Sequence, residues 1–417
     1  MIKRELYLKK IRPFYDNELI KVIMGVRRCG KSILLKQIIE ELKENKVDDS
    51  RIIYMNLEDL QYGEIKNEMD LYNYITPKLT ADQKYYLFFD EIQLVDNFEK
   101  AINSFRSTND VSIFVTGSNG NLLSGELATL LSGRYVSFRM MPFTFKEMCE
   151  VKGYMDGQLY PSDNLYPSET LYPNGIDEQW FLDYVEWGGM PQIFSLNTDE
   201  EKSAFLQDIY NSITLKDIIT RYKIKDIDLL NKIIQFMMEN VGGIFSANSI
   251  RNYLKQEALK IAPNTIYNYV EYIISSLLLD KVNRYAIKGK SVLATLEKYY
   301  LVDMGILQSK KSSIEKKVGG RLENIIYNEL IARGYKVHIG KTEKGEIDFV
   351  VDNFGEISYI QVADYLSSDE VIAREFNAFD EVKDNFPKYV LTMDKIDYSR
   401  KGIKHINIVD FLLHHDL

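Results

Sequence analysis

Residues 25–32 have the side-chain types and the spacing needed to hold a phosphate group. They read Gly-Val-Arg-Arg-Cys-Gly-Lys-Ser, which is the pattern G-x-x-x-x-G-K-S. An apolar run at 19–24 precedes them, and the run 33–39 that follows has the composition of a helix. A strand, a glycine-rich turn and a helix in this order place backbone N–H groups and the positive end of the helix around an anion. The pattern predicts a phosphate-binding loop for a nucleoside triphosphate.

The loop also predicts a role for its individual side chains. Lys31 is expected to reach the β- and γ-phosphates, and the hydroxyl of Ser32 is expected to hold a magnesium ion. Cys29 is interpreted as a tolerated small residue among the phosphate-binding amides rather than as a redox switch. The expected nucleotide contacts in this segment are Gly25, Arg27, Arg28, Cys29, Gly30, Lys31, Ser32 and Ile33.

Two later apolar runs end in residues that complete such a site. Residues 85–89 are apolar or aromatic and are followed by Asp90 and Glu91. Asp90 is expected to bind Mg²⁺ through water and Glu91 to polarise the attacking water, as the Walker B pair does. Residues 112–116 lead to a polar turn, and open α/β sheets bind ligands at the carboxyl ends of their strands. Thr116, Ser118 and Asn119 are therefore candidate γ-phosphate sensors, unless they form only a polar turn.

The order of short motifs extends well beyond these two. It includes Asp90-Glu91-Ile92-Gln93, Thr116-Gly117-Ser118-Asn119, Leu131-Ser132-Gly133-Arg134 and Pro142-Phe143-Thr144-Phe145. In this respect the chain resembles the prokaryotic AAA-type ATPases that carry a C-terminal domain of unknown function. The resemblance implies a core in which an additional strand lies between the Walker A and Walker B strands. It also implies that Arg134 is a catalytic arginine finger or sensor, in cis or from a neighbouring subunit.

Composition indicates a globular protein with several cores. The chain has 417 residues, of which 45% are hydrophobic and 27% are charged, so two to four domains are expected. It contains no uninterrupted apolar run near 18 residues, and its first residues lack the apolar stretch of a signal peptide. Two cysteines are too few for a disulfide framework. We expect a cytoplasmic protein with no membrane contact.

The middle of the chain begins with a short tandem repeat. Leu-Tyr-Pro occurs at 159–161, 165–167 and 171–173, a period of six. Proline at this spacing excludes helix and core strand, which indicates an exposed insertion, or alternatively a strip that presents tyrosines to a partner. A Gly-Gly-Met-Pro element at 188–191 then ends a helix, and its spacing assigns it no chemistry.

Residues 208–315 are the only basic segment, with 15 Lys and Arg against 11 Asp and Glu. Helical periods at 246–256 and 265–279, followed by two strand-like runs, predict a winged helix. In a DNA-binding version Asn264, Thr265 and Asn268 would face the major groove, with Lys288 and Lys290 on the wing. The tyrosines of the second helix favour protein packing instead. DNA or RNA is therefore one possible partner and an unknown protein is the other.

The last hundred residues resemble the restriction-endonuclease-like nucleases. Glu323 lies on a predicted helix, Glu346 and Asp348 begin a strand, and a second strand follows at 358–362. Where those nucleases require Glu-x-Lys, this chain has Gln361-Val362-Ala363, so one carboxylate ligand and the lysine are missing. Lys341 and Lys344 are the lysines expected to be near enough to compensate. We interpret the domain as a degenerate nuclease fold.

Together these observations predict an α/β protein with four parts. A P-loop AAA-type parallel sheet at 1–150 is followed by a helical linker with the repeat insertion at 151–227. A winged-helix-like domain at 228–312 and a restriction-endonuclease-like α/β domain at 313–417 complete the chain. The expected function is Mg²⁺-dependent ATP hydrolysis coupled to remodelling or regulation of a partner, possibly in a homo-oligomer. The alternative is a scaffold in which ATP, once bound, only fixes the domain arrangement.

Overall fold

A computed structural model describes residues 2–417 except 81, 124–130, 132, 156–170, 173–175, 257–260, 311–317, 344 and 416. The chain divides into two compact units. The first comprises Met1–Met140 with Ser275–Leu277, and the second comprises Met141–Ile274 with Leu278–Leu417. Among the described residues, no helix is both long and apolar enough to cross a membrane.

The first unit is built on a five-stranded parallel sheet. Its strands are β1 (Ile20–Met24), β2 (Ile52–Asn56), β3 (Tyr85–Asp90), β4 (Val111–Gly117) and β5 (Tyr135–Arg139). The order across the sheet is β2-β3-β4-β1-β5, and every neighbouring pair is parallel. The predicted α/β parallel sheet is confirmed, with β4 as the additional strand between β1 and β3. This order brings the carboxyl ends of β1, β3 and β4 to one edge.

Helices cover both faces of this sheet. They are α1 (Glu5–Ile11), α2 (Lys31–Glu44), α3 (Glu68–Ile75) and α4 (Phe98–Thr108). The apolar sides of α3 and α4 bury Leu71, Ile102 and Phe105 against Leu87 and Phe89 of β3. Since β3 is covered on both faces, all six of its residues are buried, which is why it reads as a continuous apolar run.

One lysine lies inside this core. Lys21 of β1 is fully buried, and its Nζ donates to the carbonyl oxygen of Asn17 at 3.0 Å and to Ser112 Oγ at 2.7 Å. The ammonium also lies 4.8 Å from the centre of the Phe114 ring. Burial, with a smaller contribution from Lys84, lowers the pKa of Lys21 to about 7. The folded state therefore favours the neutral amine.

We expect Lys21→Met to flatten the pH dependence of stability. The pKa of Lys21 is about 7 in the folded state and 10.5 for an exposed lysine, so the unfolded chain binds more protons between these values. The stabilisation that neutral Lys21 contributes is therefore complete above pH 10.5, and it is lost as the pH falls towards 7. The wild type should gain roughly 1.4 kcal/mol per pH unit relative to the variant over that range. Calorimetry of both proteins from about pH 7 to 9.5 measures the difference, and parallel curves would contradict the assignment.

The second unit begins with helices. They are α5 (Phe145–Met155), α6 (Glu178–Trp187), α7 (Asp199–Ser212), α8 (Ile227–Glu239), α9 (Ala247–Gln256) and α10 (Pro263–Ser275). A π-helical segment, Ile213–Thr220, continues α7. Of the Leu-Tyr-Pro repeats, the first two lie outside the described residues. The third contributes β6 (Leu171–Tyr172), which pairs with β7 (Ile176–Asp177).

The rest of the second unit is a seven-stranded mixed sheet with three helices. Its strands are β8 (Leu279–Ala286), β9 (Ser291–Leu301), β10 (Lys336–Lys341), β11 (Glu346–Asn353), β12 (Glu356–Val362), β13 (Lys388–Thr392) and β14 (Ile403–Asn407). The helices are α11 (Val318–Arg333), α12 (Asp369–Asn377) and α13 (Ile408–His414). The strand order is β14-β13-β12-β11-β10-β8-β9. The mixed sheet with flanking helices is the α/β C-terminal architecture that the sequence predicted.

The hairpin predicted as a wing lies in this same sheet. β8 pairs in parallel with β10, with Ile339 opposite Arg284, so β8 and β9 form one edge of the C-terminal sheet. A sequence boundary at 312 therefore separates strands that share hydrogen bonds. Periodicity identifies such strands, whereas their partners follow only from tertiary pairing.

The Gly-Gly-Met-Pro element is held by a buried aspartate. Asp303 Oδ2 accepts the N–H of Gly189 at 2.7 Å, and its Oδ1 accepts the N–H of Gly305 at 2.9 Å. Burial raises the pKa of Asp303 to about 7, against the pull of these two hydrogen bonds. Gly188 has φ +73°, and a Cβ there would lie 1.9 Å from Asp303 Oδ1. The glycines are thus required for a close structural contact.

Candidate nucleotide-binding site

The phosphate-binding loop is shaped by glycines at both ends. Gly25 follows β1, where a Cβ would lie 2.4 Å from the carbonyl oxygen of Met140 and 2.7 Å from Cys29 Sγ. Gly30 takes φ 107° immediately before α2, a conformation that favours glycine. The residue between them with positive φ is Arg28, at 64°. The loop therefore curls tightly between the end of β1 and the first turn of α2.

Lys31, the first residue of α2, folds back into this loop. Its Nζ donates to the carbonyl oxygens of Gly25 at 3.0 Å and Val26 at 3.3 Å. It also lies 3.3 Å from Glu91 Oε1, with the lysine side chain only 4% exposed. Burial alone would lower the pKa of Lys31, but the Glu91 carboxylate outweighs it and raises the pKa. The lysine of the loop and the second acid of β3 thus form a buried ion pair.

Asp90 is fully buried at the carboxyl end of β3 and is held by two hydroxyl groups. Thr116 Oγ1 donates to its Oδ1 at 2.5 Å, and the Tyr54 hydroxyl donates to its Oδ2 at 3.0 Å. Tyr54 reaches this position because β2 and β3 are parallel, with Tyr54 opposite Phe88. Both carboxylate oxygens are oriented before any ligand binds.

Glu91 begins the turn after β3 with φ 55°. Its backbone N–H donates to Thr116 Oγ1 at 2.9 Å, and its Oε2 accepts a hydrogen bond from Gln93 Nε2 at 2.5 Å. Burial tends to raise the pKa of Glu91, yet Lys31 and Gln93 together hold it below the usual value. Glu91 is therefore an ionised carboxylate at the end of the sheet. Gln93 also approaches Ser118 Oγ at 3.4 Å.

The other predicted contacts occupy varied positions around the loop. Arg27 Nη1 lies 3.2 Å from Glu58 Oε1, at the exposed side. Cys29 is fully buried, and burial raises the pKa of its thiol, which agrees with an inert role. Ser32 and Ile33 are half-buried in the first turn of α2, and Asn119 is fully buried after β4.

Arg134 comes immediately before β5, at the amino ends of the strands, whereas the loop lies at their carboxyl ends. Its backbone carbonyl accepts the N–H of Ile20 at the amino end of β1, because β1 and β5 are parallel. The exposed guanidinium donates to Asn103 Oδ1 at 3.1 Å. A five-residue strand spans roughly 16 Å, which is longer than an arginine side chain. The structure therefore places Arg134 away from the phosphate-binding loop of its own chain, and its role as an arginine finger or sensor stays a prediction.

Two residues of this site carried no role in the sequence analysis. Tyr54 orients Asp90 from β2, and Gln93 holds Glu91 from the turn after β3. Gln93 lies within the motif Asp-Glu-Ile-Gln, so its spacing was a usable signal. The sequence around Tyr54 gave no such signal, because the position of Tyr54 depends on the pairing of β2 with β3, and about 30 residues of chain separate these strands.

The arrangement fits a nucleoside triphosphate with Mg²⁺. Gly25, Gly30 and the N-terminus of α2 form the concave backbone that an anion requires, with Lys31 beside it. Asp90 and Ser32 supply oxygen donors, the ligand type that Mg²⁺ prefers. These two residues would hold the ion, and Lys31 is placed to change partners from Glu91 to a phosphate.

The second unit contains a separate cluster of charged side chains. Lys298 of β9 lies among three carboxylates, with its Nζ 3.0 Å from Glu323 Oε1, 2.6 Å from Glu346 Oε1 and 3.9 Å from Asp348 Oδ1. The Tyr300 hydroxyl also donates to Glu323 Oε1, at 2.5 Å. Burial raises the pKa of Asp348 well above the usual value, despite the attraction of Lys298. Burial would lower the pKa of Lys298, but the carboxylates raise it.

The lysine in this cluster differs from the two that the sequence analysis considered. Lys341 Nζ is exposed and lies 3.5 Å from the carbonyl oxygen of Gly345, and Lys344 lies outside the described residues. The lysine that the structure brings to these carboxylates is Lys298 of β9, which lies 65 positions before Ala363 in the sequence. Among the described residues, no three His, Cys, Asp or Glu side chains are grouped so that they could hold a metal ion.

Two protein-family models match parts of this chain. Residues 17–149 match the family model of an AAA domain, and residues 178–316 match a domain of unknown function (DUF8612). The ORC2 protein of Aeropyrum pernix, solved as ADPNP-ADP complexes, aligns with a TM-score of 0.41 and 11% identity. That alignment covers 74% of this chain and 91% of the other.

Two relatives match almost the whole chain. An uncharacterized protein of Methanocaldococcus jannaschii is 28% identical over 414 residues, 98% of this chain and 88% of that protein. An uncharacterized protein of Haemophilus influenzae is 37% identical over 419 residues, 99% of each chain. The chain therefore belongs to the same family as this Haemophilus influenzae protein, and its residues 17–149 form an AAA domain.

Proposed function

We propose that this protein binds ATP at the loop Gly25 to Ser32 and hydrolyses it with Mg²⁺. The observation that carries the proposal is the convergence of Lys31, Asp90 and Glu91 at one edge of the sheet. Lys31 Nζ and Glu91 Oε1 are 3.3 Å apart, while Asp90 is fixed by Tyr54 and Thr116. Loop and strand thus supply a phosphate-binding cation, a metal-binding acid and a water-activating acid.

Glu91 and Lys31 would act in sequence. When a triphosphate enters, its oxygens replace the carbonyl groups of Gly25 and Val26 as acceptors for the Lys31 ammonium. Glu91 then loses its partner and is free to take a proton from water, with Gln93 holding its second oxygen. Bound Mg²⁺ would neutralise charge that develops on the phosphates. The buried pair keeps Glu91 ionised until substrate arrives.

The first test compares Lys31→Ala and Glu91→Gln. Lys31→Ala should weaken ATP binding because the phosphate-binding cation is removed. Glu91→Gln should bind ATP as well as the wild type, with turnover lower on the order of a hundredfold or more because the base is lost. Glu44→Gln, at the exposed far end of α2, is the matched control and should hydrolyse ATP normally. Affinity is measured by titration and turnover by phosphate release with and without Mg²⁺.

The same test separates hydrolysis from the alternative function. A nucleotide-binding scaffold would bind ATP without turnover in the wild type, and Glu91→Gln would then change nothing. The presence of Glu91 in an ion pair with Lys31 favours hydrolysis, because a protein that only binds nucleotide does not need a water-activating acid. Unchanged turnover in Glu91→Gln would remove Glu91 from the mechanism.

Arg134 is proposed to act on the site of a neighbouring subunit. Its exposed guanidinium lies beside the amino end of β1, away from the loop of its own chain, which favours action on another copy of the chain. An arginine supplied in this way stabilises negative charge on the transferred phosphate. The proposal therefore requires that active protein be a homo-oligomer.

Mixing two inactive variants tests this arrangement. Arg134→Ala subunits keep an intact loop, and Lys31→Ala subunits keep an intact arginine, so mixed assemblies contain some complete sites. ATPase activity should appear on mixing and should be absent from each variant alone. Light scattering must show an oligomer under the assay conditions. Full activity in a protein that scatters as a monomer would contradict the proposal.

The partner that hydrolysis would act on is proposed to be a protein. The basic segment 208–315 is the place to look for nucleic-acid contact, yet several of its cations face acids. Lys281 lies 2.9 Å from Glu297 Oε1, and Lys288 lies 2.5 Å from Glu343 Oε1. Lys298 is buried among carboxylates. Cations neutralised in this way contribute little to binding a phosphate backbone. Stimulation of turnover by DNA or RNA, and not by protein fractions, would contradict this choice.

We further propose that the C-terminal sheet is a restriction-endonuclease-like fold without nuclease activity. Glu323, Glu346 and Asp348 occupy one cluster, as the resemblance requires, but the ammonium of Lys298 lies among all three. A lysine at this position neutralises the carboxylates that a metal ion would need. The cluster then ties β9 to α11 and β11 by charge pairing.

Removing Lys298 should expose the latent cation affinity of the cluster. Lys298→Met leaves the buried carboxylates uncompensated, which is expected to destabilise the protein by ~3–5 kcal/mol. Millimolar Mg²⁺ or Mn²⁺ should raise the melting temperature of this variant more than that of the wild type. The double variant Lys298→Met with Glu323→Gln should recover part of the loss, because one uncompensated charge is gone. Thermal denaturation with EDTA or metal measures both effects.

A cleavage assay completes this test. The wild type should not cut plasmid, single-stranded DNA or RNA in Mg²⁺ or Mn²⁺, with or without ATP. Cleavage that disappears in Asp348→Ala would show that Lys298 serves a working nuclease site. Equal metal stabilisation of the wild type and Lys298→Met would show that the lysine does not take the place of a cation.

A further inference from the structure

A buried arginine lies behind the phosphate-binding loop. Arg4 precedes α1 and is only 2% exposed, although arginine is rarely buried without partners. Its Nη1 donates to the backbone carbonyl oxygen of Cys29 at 3.1 Å. The guanidinium carbon lies 4.9 Å from the centre of the buried Tyr7 ring. A cation from the N-terminal segment is therefore hydrogen-bonded to the backbone of the loop itself.

The segment that carries Arg4 is clamped onto α2, the helix that the loop opens. The N–H of Arg4 donates to Gln37 Oε1 at 3.0 Å, and Gln37 Nε2 donates to the carbonyl oxygen of Ile2 at 2.6 Å. One side chain thus holds both the N–H of Arg4 and the carbonyl group of Ile2, two residues earlier. This clamp fixes the position from which the guanidinium reaches Cys29.

The carbonyl that Arg4 binds belongs to the peptide unit between Cys29 and Gly30. In a planar trans peptide the C=O and N–H groups point in opposite directions, so a donor at the oxygen fixes where the Gly30 N–H points. It also polarises the unit, which makes that N–H a better donor. Gly30 is the glycine directly before α2, where a loop of this type presents its amides to phosphate.

Arg4 differs from Lys31 in what happens when nucleotide binds. Lys31 holds the carbonyl oxygens of Gly25 and Val26 from inside the loop and must release them to reach phosphate. Arg4 binds the carbonyl oxygen of Cys29, which is not a group that phosphate replaces, so we expect this hydrogen bond to stay in place when nucleotide binds. While Lys31 changes partners, Arg4 is the fixed cation of the loop.

We infer that Arg4 is a positioning residue for phosphate binding, which acts by orienting the Cys29–Gly30 peptide unit. The inference rests on the proposed nucleotide site, but it concerns a residue outside the loop motif. Since the γ-phosphate is not required for contact with this peptide, ATP and ADP should depend on Arg4 to the same extent. Lys31, which is expected to reach the γ-phosphate as well as the β-phosphate, would instead distinguish the two nucleotides.

The experiment compares Arg4→Met with Arg12→Met. Arg12 is a matched control, because it also joins the N-terminal segment to α2, through Glu41 at 2.8 Å, but it does not touch the loop. Arg4→Met should weaken ATP and ADP binding alike, by about tenfold or more, the magnitude expected for a lost hydrogen bond from a charged group. Arg12→Met should lower the melting temperature but leave both affinities near those of the wild type. Isothermal titration with each nucleotide gives the affinities.

A second measurement does not require nucleotide. Deuterium exchange of the peptide that covers the loop should be faster in Arg4→Met than in Arg12→Met, because the Cys29–Gly30 unit is no longer held. Arg4→Lys keeps the positive charge but lacks the planar guanidinium, so it should recover only part of the nucleotide affinity. If Arg4→Met fails to fold, Arg4→Lys is compared with Arg12→Met in its place.

The outcomes separate this inference from the proposed function. A wild type that binds neither nucleotide would refute the nucleotide site itself. A wild type that binds both nucleotides, with Arg4→Met binding equally well, would refute only the role of Arg4. An equal loss of affinity in Arg12→Met would mean that docking of the N-terminal segment, and not the Cys29 hydrogen bond, supports the loop.

Discussion

The buried pair of Lys31 and Glu91 depends on the order of the parallel sheet. Because β4 lies between β1 and β3, the loop after β1 and the acids after β3 meet at one edge. Two ionised groups with side chains 4% and 11% exposed are stable there only because each is the other's partner. Tyr54, Thr116 and Gln93 then bond the remaining carboxylate oxygens. The site is preorganised by strand pairing, and its two buried charges balance each other.

The second unit also contains a buried lysine among carboxylates, but we assign this lysine a structural role. Its carboxylates at Glu323, Glu346 and Asp348 also converge through a sheet, and their cation is Lys298, which is supplied by β9. Tyr300, two residues further along the same strand, donates to Glu323 from the same face. In the first unit a lysine is placed to exchange partners, whereas in the second it is a fixed part of the core. Under the proposed roles, the same pair of chemical groups serves a reactive site in one unit and a structural cluster in the other.

Other ionisable side chains are also buried in this protein, and they differ in the groups that bond to them. Lys21 is held by a carbonyl and a hydroxyl without a carboxylate, so its proton is weakly bound. Asp303 is held by two backbone N–H groups and binds its proton more tightly than usual. Glu91, which has an ionic partner in Lys31, stays charged although it is buried.

The amino-acid sequence by itself determined the phosphate-binding loop, the acids after β3 and the parallel α/β class. Each of these is encoded locally: glycines at fixed spacing permit the turn, and continuous apolar runs identify strands buried on both faces. It also identified Glu323, Glu346 and Asp348 as one set. Only the tertiary structure decided which side chains meet across the sheets. Tyr54 beside Asp90, Lys298 among the carboxylates and Arg134 at the far edge all follow from strand order and register, which depend on contacts between distant residues and leave no local pattern.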